Sequence, residues 1–153
     1  MKKGIVSCGI FAIALLLGGC SSEPVTKTCS SDADGVYDEM TITSVDGKVT
    51  KMEERLEVDF SDYGATEEDM NDLTDDDLKD LFESTMPELA QELDGITIDY
   101  QLDGTKGIIL VTFDFEKADP AVLADLGVID TETSNISLDL SIEELEQQGY
   151  TCK

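Results

Sequence analysis

Two sets of side chains in this chain have types and spacings that suit chemistry: four cysteine thiols and an unusual density of carboxylates. Cys8 lies inside an apolar run, Ile5 to Leu17, that follows Lys2 and Lys3 and is too short to span a bilayer. Cys20 stands directly after Leu17-Gly18-Gly19. A positive start, a short apolar core and small residues before a thiol read as a secretory signal peptide. Cys29 and Cys152 remain, at opposite ends of the folded part. A leftover pair in an exported chain reads first as a disulfide, with two buried free thiols as the alternative in a host without a strong oxidation system. Closed, the bridge would span nearly the whole domain and contribute roughly 5 kcal/mol in the chain-entropy model.

The second set is acidic. Ser30-Ser31-Asp32-Ala33-Asp34-Gly35, followed by Asp38 and Glu39, has oxygen ligands at alternate positions and glycine at a turn, as a calcium loop requires. Asp32, Asp34 and Asp38 are therefore the candidate metal ligands, for a divalent cation such as calcium. Ser30 stands at the first ligand position, however, and Thr41 where a bidentate glutamate belongs. A plain Asp-Gly turn is the more common meaning of such a segment. Asp75-Asp76-Asp77 also concentrates charge, but it sits at a helix start, where acids already have a structural reason.

No histidine and no tryptophan occur. Without histidine, the commonest general acid–base, the usual catalytic triads and most zinc or copper sites are excluded. A carboxylate-only enzyme is not excluded; it needs two acids converging in a cleft, one with a raised pKa. No catalytic residue is assigned. The leader takes only lysines with it, so the mature chain keeps 8 of 10 basic residues against all 35 acids, a formal charge of −27. That argues against nucleic acid, whose phosphates need a basic surface. It also argues against adhesion to anionic lipid through the protein surface.

The elements that position these groups are legible in outline. Residues 1–19 form the signal peptide, residues 20–28 a modified cysteine and tether, and residues 29–153 one domain. The tether from Ser21 to Thr28 reaches at most about 29 Å. Met40 and Ile42 alternate against polar neighbours, Asp46-Gly47 turns, and Met52, Leu56, Val58 and Phe60 keep even spacing, which predicts a β-hairpin. Val49 is out of phase and predicts a bulge or turn shift.

Thr66 and Thr74, each followed by acids, predict helix starts. The apolar stripe Leu78, Leu81, Phe82, Met86, Leu89, Ala90 and Leu93 predicts a long helix kinked at Pro87 and ended by Asp94-Gly95. A second hairpin follows, Ile96 to Leu102 and Ile108 to Phe115, turning at Asp103-Gly104. Its return strand is apolar on both faces near its start and should lie inside the sheet. Asp119-Pro120 opens a short helix ended by Gly127. Ile136, Leu138 and Leu140 predict a last extended segment, and Ser141 to Glu144 a capping box for the closing helix. Both hairpins end in hydrophobic-Asp-Phe and precede a helix, consistent with a duplicated ββα unit. The expected fold is α+β: an antiparallel sheet of four to five strands with helices on one face.

Two resemblances follow from these residues. Leu17-Gly18-Gly19-Cys20 resembles the lipobox of bacterial lipoproteins, which implies diacylglyceryl transfer to the Cys20 thiol and cleavage before it. The order of elements resembles the YehR-like bacterial lipoproteins, a family of unknown function. The matching segments are Met40-Thr41-Ile42, Asp46 to Met52, Val58-Asp59-Phe60, Gly95-Ile96-Thr97, Val111 to Phe115, and Ile136-Ser137-Leu138 to Gln148-Gly149-Tyr150. The resemblance implies a compact α+β domain on a lipid anchor at the extracytoplasmic face of the cell membrane, with no catalytic residues to carry over. The expected role is a binding module for a small ligand or an envelope protein; the alternative is a carboxylate-dependent hydrolase acting on cell-wall polysaccharide.

Overall fold

A computed structural model describes residues 23–33, 35–87, 89, 91, 93–129 and 136–153. The expected signal peptide and Cys20 lie outside these residues. Six antiparallel strands form one sheet in the order β4-β5-β3-β2-β1-β6. They are β1 (Val25–Ala33), β2 (Val36–Val45), β3 (Lys48–Asp59), β4 (Ile96–Asp103), β5 (Lys106–Asp114) and β6 (Thr151–Cys152). The helices are α1 (Glu67–Met70), α2 (Asp75–Thr85), α3 (Pro120–Asp125) and α4 (Leu138–Gln147). No helix among the described residues is long and apolar enough to cross a membrane.

Both Asp-Gly hairpins form. Asp46 and Gly47 each have positive φ, 54° and 76°, the backbone a tight two-residue hairpin turn needs. The hairpins β2-β3 and β4-β5 meet at the antiparallel β3-β5 pair and are arranged symmetrically about it. Strand β5 lies inside the sheet, with Ile108 and Ile109 buried on opposite faces.

One face carries Met40, Ile42, Met52, Leu56, Ile96, Ile109, Val111 and Phe113, and the helices cover it. Leu78 and Phe82 of α2 pack there, as do Leu123 of α3 and Leu138 and Leu145 of α4. The other face is largely polar, with Ile108 and Leu110 as its apolar residues on β5. It carries ion pairs Lys51–Glu53, Arg55–Glu57 and Lys106–Glu57, and hydroxyl pairs such as Thr28–Thr41.

The bulge falls where Val49 required it. Thr43 pairs with Lys51 but Ser44 with Val49, so Thr50 is the extra residue. The shift turns Val49 into the core at 2 % exposure and frees its N–H for Ile136 O at 2.8 Å. The Leu138 N–H in turn bonds Gly47 O at 3.0 Å. The bulge thereby docks the start of α4 onto the sheet.

Four expectations are corrected. The sheet has six strands rather than four or five. Strand β1 takes up half of the expected tether, since Val25 to Thr28 pair with β2. Helix α2 does not continue through Pro87. It stops at Thr85, because proline disfavours helical backbone at the residue before it and Met86 sits at φ −127°, ψ 71°. Leu93 still packs on the core, while Leu81 and Met86 are exposed; Ala90 lies outside the described residues. Finally, Ile136 to Leu140 is not an extended alternation. Ser137 is the N-cap position of α4, and Ser141 lies inside that helix, its Oγ donating to Ser137 O at 3.0 Å. Leu138 and Leu145, two turns apart, are buried, while Leu140 points outward at 66 % exposure.

Candidate functional site

A cavity of about 500 Å³ opens between the sheet and the second half of the chain. Its floor is Met40, Ile42, Met52 and Glu54 on β2 and β3; Leu140, Glu144 and Leu145 of α4 form one wall; Phe115 and the Leu126–Ile129 segment form the other. The bulge at Thr50 and the Ile136–Val49 bond hold the α4 wall in place. Gly127, at φ 73°, ends α3 so that Val128 and Ile129 can return over the floor.

Three polar residues meet at the edge of this cavity, and of these Glu54 lines it. Glu54 lies on the helix-covered face, in phase with Met52 and Leu56, and its carboxylate has no hydrogen-bond partner among the described residues. Burial, and then the charge of nearby Asp38, push its pKa up to about 7. Asp38 shares that face one strand away. Tyr150 Oη donates to Asp38 Oδ2 at 2.5 Å, and Asp38 Oδ1 is buried without a partner. Burial raises the Asp38 carboxyl above its ordinary range, and the tyrosine bond offsets part of that. Tyr150 is itself raised, by burial first and by Asp38 second. The arrangement is a half-buried carboxyl pair, backed by a phenol, that resists holding two charges.

Tyr150 is positioned by the C-terminal tail. Cys29 and Cys152 are register partners across β1 and β6 and lie at disulfide distance, with Cys29 fully buried. Thr28 and Lys153 add backbone bonds between the same strands.

The calcium-loop residues are not brought together. Asp32 pairs with Tyr37 on the open face, while Asp38 turns to the helix-covered face to meet Tyr150; Asp34 lies outside the described residues. The segment is a hairpin of two long strands, so alternate residues diverge to opposite sides instead of converging on an ion. Among the described residues, no three acids or cysteines are grouped so as to hold a metal. Asp77 closes a capping box with Thr74, and Asp75 Oδ1 accepts from Leu102 N at 2.7 Å, so two of the three acids at the α2 start have structural roles. Of the aromatics, Phe115 lines the cavity; Phe82 and Tyr100 stack edge-on elsewhere, at 5.7 Å.

The sequence reading does not single out Glu54, and it does not join Tyr150 to Asp38, which it names only as a candidate calcium ligand. A signal existed. Glu54 fills the one gap in the even-spaced set Met52, Leu56, Val58, Phe60, and Asp38 is in phase with Met40 and Ile42. An acid at an in-phase position of a half-buried strand marks a carboxyl facing the core.

Comparison with known proteins agrees on the fold. The NMR structure of the Escherichia coli YehR protein matches with a TM-score of 0.64 and 20% identity, over 86% of this chain and 91% of that one. An NMR structure of a protein from Streptococcus pneumoniae TIGR4 matches at 0.59 and 16% identity, over 100% of this chain and 97% of that one. No curated protein matches the sequence. The model for the family described as "Protein of unknown function (DUF1307)" matches residues 25–151, nearly all of the described domain, and the chain belongs to that family.

Proposed function

We propose that this chain is a lipid-anchored, extracytoplasmic binding domain whose small ligand enters the cavity between α4 and the sheet. The observation that carries the reading is the cavity itself: about 500 Å³, with an apolar floor around Glu54 and polar Ser137, Ser141, Glu144 and Gln148 along the α4 side. Ligand sites have this size and this mixture of apolar wall and few polar groups. The anchor rests on Leu17-Gly18-Gly19-Cys20 at the end of the leader. Two acyl chains on Cys20 would hold the domain stably where one is marginal. A charge of −27 keeps such a domain soluble above the bilayer.

A ligand screen by thermal shift, including divalent cations, with binding mapped by NMR, tests the pocket. Stabilising ligands whose shifts cluster on Met52, Glu54 and Leu145 support it; shifts confined to other surfaces reject it. Cys20→Ala tests the anchor: the variant should leave the membrane fraction or stay uncleaved. A cleaved variant that still sediments with membranes refutes it.

One observation favours the second reading, a carboxylate-dependent hydrolase: Glu54 titrates near neutrality beside another acid. The apolar floor of Ile42, Val49, Met52 and Leu145 weighs against it, since the polar lining beyond Glu54 is confined to the α4 side. Release of reducing sugar from purified cell wall, abolished by Glu54→Gln, would establish hydrolysis; no release at any pH from 4 to 8 would dismiss it.

A further inference from the structure

The charge of the cavity narrows what it can hold. Among the described residues, its ionisable lining consists of two acids, Glu54 in the floor and Glu144 on the exposed rim, with no lysine or arginine. The nearest balanced charges are on the other side of the sheet, where Lys51, Arg55 and Lys106 are engaged by Glu53 and Glu57. Lys27 of β1, paired with Ile42, shares the covered face but is exposed, and the neighbouring charge that acts on Glu54 is that of Asp38. The Glu54 oxygens are not enclosed by protein, unlike Asp38 Oδ1, so its carboxyl is open to whatever enters. Below it, Ile42, Val49 and Leu145 are buried and offer nothing polar.

An anionic ligand would meet Glu54 and Glu144 with no compensating cation. A neutral apolar ligand would leave the Glu54 carboxyl desolvated and unpaired, at a cost. A cation on an apolar body satisfies both halves of the site, with its charged head on Glu54 and its tail against the aliphatic floor. We infer that the cavity binds an aliphatic amine, with the ammonium on the Glu54 carboxylate and the hydrocarbon between β2, β3 and α4. This rests on the pocket reading above and names its ligand class.

The test uses three probes with one tail and different heads: decylamine, decanol and decanoate, each below its micelle-forming concentration, in 150 mM NaCl at pH 8. NMR titration of the signal-cleaved domain gives affinity and place together. Decylamine should bind at the pocket at least tenfold tighter than decanol, with decanoate weakest. Glu54→Gln should reduce decylamine to the affinity of decanol. Glu53→Gln removes the same charge one residue away on the open face and should change nothing, which separates a site from general attraction to an acidic protein. If decanol or decanoate matches decylamine at the pocket, the amine assignment is wrong and the pocket stands. If Glu53→Gln weakens decylamine as much as Glu54→Gln, the preference is diffuse and the assignment is again wrong. If none of the three perturbs the pocket, the pocket reading itself fails.

Discussion

Glu54 and Glu57 are the same residue type, three positions apart on one strand, on opposite faces of the sheet. Glu57 sits on the open face between Lys106 and Arg55, at 2.5 and 2.6 Å, and those bonds hold its carboxyl below the usual range. Glu54 sits under the helices with no cation, and burial lifts it to about 7. The open face settles its charges locally, in ladders of opposite sign. The covered face leaves an acid unsettled beside a cavity. In a chain this acidic, it is the unpaired carboxyl with apolar neighbours that marks a site, because paired acids already have a structural use.

The largest perturbation removes what shields the covered face. Cys29→Ala with Cys152→Ala should cost up to about 5 kcal/mol by chemical denaturation, since the bridge closes a loop of 123 residues. It should also loosen Tyr150 from Asp38 and so remove the hydrogen bond that offsets burial, and the Asp38 carboxyl should then titrate higher by NMR. Alkylation before and after reduction, read by intact mass, checks that the bond forms; two alkylated thiols without reductant would remove this arm of the comparison.

Next comes Glu54→Gln. A carboxyl raised in the folded state keeps its proton there while the unfolded chain has lost it, so stability falls as pH rises from about 4.5 to about 7 and is then flat. The glutamine variant should escape this loss. It should match the parent near pH 4 and exceed it at pH 8 by at most about 3 kcal/mol, at about 1.4 kcal/mol for each unit. Parallel curves for the two proteins would mean that Glu54 is not buried as described.

Gly107→Ala probes packing on the same face. A Cβ there would meet the Phe60 ring at 2.8 Å and Leu78 Cδ1 at 3.2 Å. Overpacking of this kind costs about 1–3 kcal/mol, and a lower urea midpoint with unchanged slope would report it.

Glu57→Gln should have the smallest effect. It removes two partly exposed ion pairs, and their stabilisation is present above the ordinary carboxyl range and lost as pH falls through the depressed folded value. The loss seen at pH 7 and low salt should vanish in 1 M NaCl, where screening acts over about 3 Å. A salt-independent loss larger than the Glu54→Gln gain would invert the contrast between the faces.

Much of the frame was readable because it is written locally. Asp46-Gly47 and Gly104 carry their own turn geometry, the second turn falling one residue later than expected because Asp103 still pairs with Lys106; Thr66 and Thr74 carry their own caps, and Val49 its own phase error. What escaped depends on partners distant in the chain. Strand β1 has almost no apolar alternation; its only fully buried side chain is Cys29, and it is held by pairing to β2 and β6. The start of α4 was misread because three apolar residues at period two are too few to tell strand from helix, and the bulge that docks it lies nearly ninety residues earlier. The site was hidden for the same reason. Glu54, Asp38 and Tyr150 come from three strands or their ends, and only the bridge between residues 29 and 152 explains why a tyrosine at the tail meets an aspartate near the start.

That bridge has a consequence for the life of the molecule. With Cys29 joined to Cys152, almost the entire domain lies inside one covalent ring. A protease that cuts any single bond between residues 30 and 151 opens the ring without dividing it. The nicked protein would run as one species until reduced, and both pieces would remain attached to whatever the amino terminus is attached to.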